Sequence, residues 1–258
     1  METARHVVFR LRVPRNPRVW VLVFQATVLL IFWPGVAWAD MLLLLHVDAG
    51  GKLGSSCEVK IDIETKFRKN MSEHYDLEGM PWVACRVTEW FKIGLGWREL
   101  YSRTNTEIYK LKSTESSGST AYQKVSNHYW QVEHRPLLDL MFTEKPGGWT
   151  LDERLRIEYR QLQKKAPFFR YRGRLRVRPP WKWTVAEIQP WLAWEMYYED
   201  NAELKASDRL NRHRIYIGLG LKATSALRFG GYYYWEELRQ KGKWGSNQEI
   251  GLETGFAF

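Results

Sequence analysis

Past its first forty residues the chain has no uninterrupted apolar run of the roughly 18 residues that a spanning helix needs, which excludes a bundle of membrane helices. It holds two cysteines, Cys57 and Cys85, too few for a disulfide scaffold. No HxH, HExxH or paired CxxC spacing occurs, so no metal and no cofactor is implied. Charge of one sign is nowhere concentrated: 39 Lys+Arg against 29 Asp+Glu are spread along the whole length, which argues against a nucleic-acid-binding arm. With 19 Gly and 10 Pro in 258 residues the chain is neither collagen-like nor low-complexity, and no linker divides it. What it has in excess is rings, with 14 Trp, 13 Tyr and 11 Phe. So many in a hydrophilic chain call for a place that is neither dry core nor open water, and a membrane interface is such a place.

Residues 1–39 read as a cleavable signal peptide. Arg5, Arg10, Arg12, Arg15 and Arg18 form a basic n-region, Val19 to Trp33 an apolar h-region, and Ala37-Trp38-Ala39 an A-x-A site. An uncleaved anchor is the alternative, but Pro34 and Gly35 break the segment and its apolar part is short. Residues 40–258 then form one exported domain.

From residue 57 onward polar and apolar residues alternate. In Leu155-Arg156-Ile157-Glu158-Tyr159-Arg160 every even position is charged, and Arg170-Tyr171-Arg172-Gly173-Arg174-Leu175-Arg176-Val177-Arg178 puts five guanidiniums on one face. A helix would scatter those charges around its circumference, whereas a strand collects them on one side. Ten such segments follow one another: 57–68, 74–87, 90–103, 125–142, 149–162, 167–178, 185–199, 211–223, 226–239 and 246–258. Their connections alternate between short (near 88–89, 143–148, 179–184, 224–225) and longer (69–73, 104–124, 163–166, 200–210, 240–245). This pattern predicts an all-β, antiparallel, up-and-down transmembrane β-barrel of about ten strands, twelve being the alternative, with 104–124 and 200–210 as external loops and 104–124 mobile. Met41 to Leu53 is read as a lead-in segment tucked against the barrel, because an eleventh strand would put the two chain ends on opposite sides of the membrane. A soluble β-sandwich or lipocalin-like barrel is the competing fold; it would turn the same apolar parity into a core.

In the membrane reading the polar parity lines the lumen. That places Arg154, Arg156, Glu158, Arg160, Arg170, Arg172, Arg174, Arg176, Arg178, Glu187, Glu195, Arg212, Arg214, Glu249 and Glu253 inside, with Glu133 and Asp139, a mixed but net basic ladder. Trp149, Trp181, Trp183, Trp194, Tyr198, Trp235, Phe256 and Phe258 face lipid, most of them near strand ends, as two interfacial girdles. The C-terminal strand stops on Phe258, similar to the signal by which the outer-membrane assembly machinery takes up its substrates. Cys57 and Cys85 fall opposite one another across the first hairpin; an oxidising periplasm favours a disulfide, geometry directly across a ladder often disfavours it, and both states stay open.

Glu133-His134-Arg135-Pro136, the 155–160 run, Phe169-Arg170-Tyr171-Arg172, Pro180-Trp181-Lys182-Trp183, Asn211-Arg212-His213-Arg214 and the closing strand together resemble the domain-of-unknown-function 2490 family of bacterial outer-membrane barrels. The resemblance is strongest from residue 128 onward. It implies a Gram-negative-type outer membrane and a barrel fold, and no activity.

Three functions follow from these expectations. A ten-stranded interior is narrow enough for side chains to fill, so Arg side chains pairing with carboxylates across it give a sealed, non-enzymatic envelope scaffold, monomeric by default. The same basic lining left open gives a narrow anion-preferring pore. An outer-membrane lipid hydrolase or acyltransferase would need a nucleophilic serine beside a histidine, for which a set such as His74 with Ser72 or Ser126 is conceivable, while His74, His128 and His213 alike read as ordinary loop or girdle polarity. Loop cations such as Lys110, Lys112, Lys164 and Lys165 suit lipopolysaccharide phosphates, or a plain solvated rim. Gly94-Leu95-Gly96 and Gly218-Leu219-Gly220 alternate along strands and suit close packing of a wall rather than a phosphate cradle.

Overall fold

The computed structural model describes residues 42–68, 73–114, 120–163, 165–183, 187–240 and 242–258, without the side chains of 42, 68, 104–114, 120–128 and 240. The signal-peptide reading falls on residues 1–41, outside those described. Eleven strands follow in order: β1 (Leu42–Leu53), β2 (Cys57–Arg68), β3 (Glu73–Arg86), β4 (Phe91–Thr114), β5 (Thr120–Glu144), β6 (Thr150–Leu162), β7 (Phe168–Arg178), β8 (Gln189–Asp200), β9 (Leu210–Lys222), β10 (Leu227–Gln240) and β11 (Lys243–Ala257). Each pairs antiparallel with its chain neighbours, and β1 closes the barrel by running parallel to β11, from Leu42 opposite Glu249 to Gly50 opposite Ala257.

The lead-in reading of 41–53 is therefore corrected: β1 is a full member of the wall. Its leucine run hides an alternation in which Leu44, His46 and Asp48 look inward and Val47 outward, and inward His46 meets Asp62 of β2 at 3.5 Å. An odd strand number needs one parallel seam, which the parity argument left out. The ladder of β4 and β5 also runs on from Thr104 opposite Tyr129 to Thr114 opposite Thr120, so most of the segment read as an irregular loop is hairpin. Nor do the two rims differ much in connection length. One rim, here called the C-terminal rim, carries the turns 54–56, 87–90, 145–149, 179–188 and 223–226 beside Phe258; the opposite rim carries the remaining connections and the β4–β5 extension.

Polarity runs opposite to that of a water-soluble globule. Ile217 is 62% exposed and Leu95 59% exposed on the outer surface, whereas Glu158 and Glu195 are wholly buried. The inward parity is kept even where it costs space. A Cβ on Gly94 would stand 2.7 Å from Nε1 of Trp82, and one on Gly218 or Gly251 would overlap the ring of Trp191 or Tyr232. Those glycines let three large rings lie flat against the inner wall.

Candidate functional site

The lumen is where this chain departs from ordinary packing. From the opposite rim towards the C-terminal rim, β6 and β7 place facing pairs on the inner wall: Glu158 opposite Arg170, Arg156 opposite Arg172, Arg154 opposite Arg174, Asp152 opposite Arg176. Period-two alternation on both strands is what aligns these rows.

Half of this lumen is filled by matched charges. Glu133 accepts Nε and Nη2 of Arg135 at 2.6 and 2.7 Å and Nε and Nη2 of Arg160 at 2.5 and 2.9 Å, while Arg160 Nη1 reaches Glu199 at 2.7 Å. Arg170 pairs with Glu158. Arg156 holds Asp139 with both nitrogens of its fork at 2.7 Å, and Trp82 Nε1 donates to the same carboxylate at 3.1 Å. Bidentate geometry of this kind is what makes Arg the residue for buried pairing.

Glu195 is the centre of the network. It accepts Arg172 Nε at 2.5 Å, Tyr197 Oη at 2.5 Å and Tyr216 Oη at 2.8 Å. The ring of Tyr197 in turn lies 5.2 to 5.4 Å from the guanidiniums of Arg170, Arg172, Arg212 and Arg214. Arg214 closes the set on Glu236 at 2.5 Å. A ring face so placed takes the stead of a further anion.

Below this plug, towards the C-terminal rim, lies a cavity of about 520 Å³. Arg154, Arg172, Arg174, Arg176, Arg178, Lys182, Lys222 and Arg228 line it together with Asp48, Asp62, Glu187 and Glu253. Lys182 and Glu187 line its mouth, beside mutual backbone hydrogen bonds between Trp183 and Ile188 at 2.8 and 2.9 Å. Lys182 and Glu187 meet there at 2.6 Å, and that ammonium holds the Glu187 carboxyl below the usual carboxylate range. Glu187 thus sits at the mouth, off the strands, at φ 49°, and not in the ladder where the sequence put it. The remaining members of the predicted ladder, Arg154 to Glu253, line the inner wall; Glu249 is buried, and Arg178 bonds Asp152 at 2.6 Å.

Sequence reasoning missed Glu199, Glu236, Asp152 and the hub ring Tyr197, although each keeps the inward parity of its strand and could have been found by extending it. His46, Asp48 and Asp62 bring ligand atoms within 4.8 Å of one another, but Lys60 Nζ lies 2.7 Å from Asp62 and 3.7 Å from Asp48 and supplies the positive charge there. His74 is engaged by Thr65 Oγ1 at 2.8 Å and by the Asp76 carbonyl at 3.0 Å, between the rings of Phe67 and Trp130. Its suggested partner Ser72 lies outside the described residues, as do the side chains of Ser126 and His128. Cys57 and Cys85, opposite in the β2–β3 ladder, are joined as a disulfide beside the C-terminal rim.

Outside the barrel, Trp149, Trp181, Trp183, Trp194, Tyr198, Trp235 and Phe258 are all exposed, and Trp149 packs edge-on against Trp181. Phe256 is partly exposed beside them.

A family model described as protein of unknown function (DUF2490) matches residues 43–247. No curated protein matches the chain. Among solved structures, the beta domain of the Bordetella autotransporter Brka is similar with a TM-score of 0.48 and 12% identity, over 79% of this chain and 83% of that one. OmpT of Vibrio cholerae, expressed in the outer membrane, gives 0.36 and 8% over 75% and 60%. An anion-selective porin from Comamonas acidovorans gives 0.33 and 9% over 79% and 83%. Likeness at this level concerns strand arrangement and says nothing about activity.

Proposed function

The chain belongs to the DUF2490 family, and from the geometry of its lumen we propose that it is an outer-membrane barrel closed by Arg–carboxylate pairs, an envelope scaffold rather than an open channel. The observation that carries this reading is the inverted polarity: isoleucine and leucine on the outer wall, wholly buried Glu158 and Glu195 on the inner one. In a closed barrel every wall hydrogen bond is made between strands, so hydrocarbon can meet the outer face without orphaned backbone groups. The exposed rings on the outer face, such as Trp149, Trp181 and Phe258 beside the C-terminal rim, suit the amphipathic lipid headgroup region. The β4–β5 extension faces the outside in this arrangement and the C-terminal rim faces the periplasm.

A second reading, a narrow anion-preferring pore, is favoured by the basic cavity at the C-terminal rim. The Glu195 and Glu133 clusters stand across its path. Planar-bilayer recording of the purified full-length protein separates the two. No conductance steps are expected; steady anion-preferring steps that change when Arg172→Ala and Arg174→Ala are combined would replace the scaffold by the pore. Heat-modifiable gel mobility in isolated outer-membrane fractions tests the location, and recovery of the folded protein in the soluble periplasmic fraction would overturn it.

A further inference from the structure

We propose that the cavity at the C-terminal rim is a binding site for a phosphate group, held between the guanidiniums of Arg154 and Arg174. The two residues stand directly opposite one another on β6 and β7 with both side chains lining the cavity. Like charges in directly facing positions are destabilising unless something negative lies between them.

The ladder partner of Arg174 on β8 is Glu195, but that carboxylate turns to Arg172, Tyr197 and Tyr216 and stands 3.7 Å from Arg154. Asp139 is taken by Arg156 and Trp82. Asp152 is taken by Arg178 at 2.6 Å, Thr143 at 3.0 Å and Arg176 at 3.4 Å. Of the other carboxylates lining the cavity, Asp62 pairs with Lys60, Glu64 with Lys66, Glu78 with Arg98 and Glu187 with Lys182, while Asp48 and Glu253, on β1 and β11, make no ion pair with Arg154 or Arg174. Among the described residues no carboxylate lies within ion-pair distance of Arg174, and Nε of Arg154 is buried without a hydrogen-bond partner.

Two planar forks on facing strands present several N–H donors to a single point between them. A tetrahedral oxyanion offers each fork its own pair of oxygens for bidentate hydrogen bonding, a match that a single chloride ion does not give. The cavity, about 520 Å³, falls in the size range of small-ligand pockets and exceeds the needs of one phosphate, so it admits a phosphorylated small molecule entering from the rim. A lipid phosphate reaching in from the same rim presents the same chemistry. The site stands whether or not the barrel conducts.

Isothermal titration of the detergent-folded full-length protein in chloride buffer tests this, with inorganic phosphate and glycerol phosphate as soluble probes and dihexanoyl phosphatidic acid as the lipid probe. Saturable binding of at least one probe is expected. Loss of one charge-assisted contact in Arg174→Gln weakens it about tenfold or more. Arg174→Lys, which keeps charge but loses the fork, binds between the two, and Arg239→Gln at the opposite rim binds like wild type. Heat-modifiable mobility reports that each variant is folded. Binding of the soluble probes identifies a free phosphorylated solute as the ligand, and binding of phosphatidic acid alone a lipid. Absence of saturable heat with all three probes, or equal affinity in folded Arg174→Gln, overturns the proposal.

Discussion

The two halves of the lumen are built from the same residue types and do different things. Towards the opposite rim buried charges are matched: Glu133 lies between Arg135 and Arg160, Glu158 meets Arg170, and Arg214 meets Glu236. Towards the C-terminal rim arginines continue to alternate along β7, but the carboxylates present there make no ion pair with Arg174, and Arg154 and Arg174 face one another across the cavity. The comparison shows that an arginine ladder is not one feature. Where its rows meet carboxylates it is a plug, and where they do not it is a docking surface for an anion. Burying an ion pair is at best about neutral for stability, because desolvation offsets the attraction. The matched half therefore fixes how the wall is filled, and contributes less to net stability than its many short contacts suggest.

The sharpest way to break the comparison is to remove a partner in the matched half. Glu195→Ala leaves Arg172 without its carboxylate and deprives Tyr197 and Tyr216 of their acceptor. A loss of about 3–5 kcal/mol in unfolding free energy is expected, read as a lowered urea midpoint for the barrel in lipid vesicles. A loss under about 1 kcal/mol would mean that the plug is as loosely held as the cavity.

A somewhat smaller effect is expected where inside is compared with outside. Ile217, at mid-height of β9, faces outward, one residue from lumen-facing Tyr216. Ile217→Arg puts a cation at hydrocarbon depth and is expected to cost about 2–4 kcal/mol in the same vesicle titration. On a water-facing surface the change would be within about 0.5 kcal/mol, and that result would reverse the polarity argument.

The wall of this barrel was legible in the sequence because strand periodicity is local. The charged parity of residues 154–160 and 170–178, the outward Leu192 and Trp194, and the closing strand up to Phe258 all face as their alternation dictates. β1 was not legible, because Leu42 to Leu45 carry no alternation and the strand declares itself only through His46 and Asp48, whose partners lie on β2 and β10. Pairing was not legible either. It depends on register between strands and on which diagonal a long side chain takes: Glu195 stands opposite Arg174 in the ladder but bonds Arg172. Position along a strand gives the face, and only the assembled neighbours give the partner. The same limit explains Glu187, whose parity suited the ladder while the backbone had already left the sheet.

The smallest expected effect sharpens the comparison most. Arg174 contributes charge to the cavity without a carboxylate to hold it, so its removal takes away repulsion from Arg154 and strands no buried acid. Arg174→Ala in chloride is therefore expected to change the unfolding free energy by less than about 1 kcal/mol, or to raise it, where Arg156→Ala, which orphans Asp139, loses about 3–5 kcal/mol. Both residues are inward arginines in adjacent rows of the same hairpin, Arg156 buried and Arg174 half-buried. The difference that decides the outcome is the dedicated carboxylate, which Arg156 has in Asp139 and Arg174 lacks. Equal losses for the two variants, measured by urea titration in the same vesicles, would show that position in the wall rather than pairing decides what a guanidinium contributes, and the two halves of the lumen would be one.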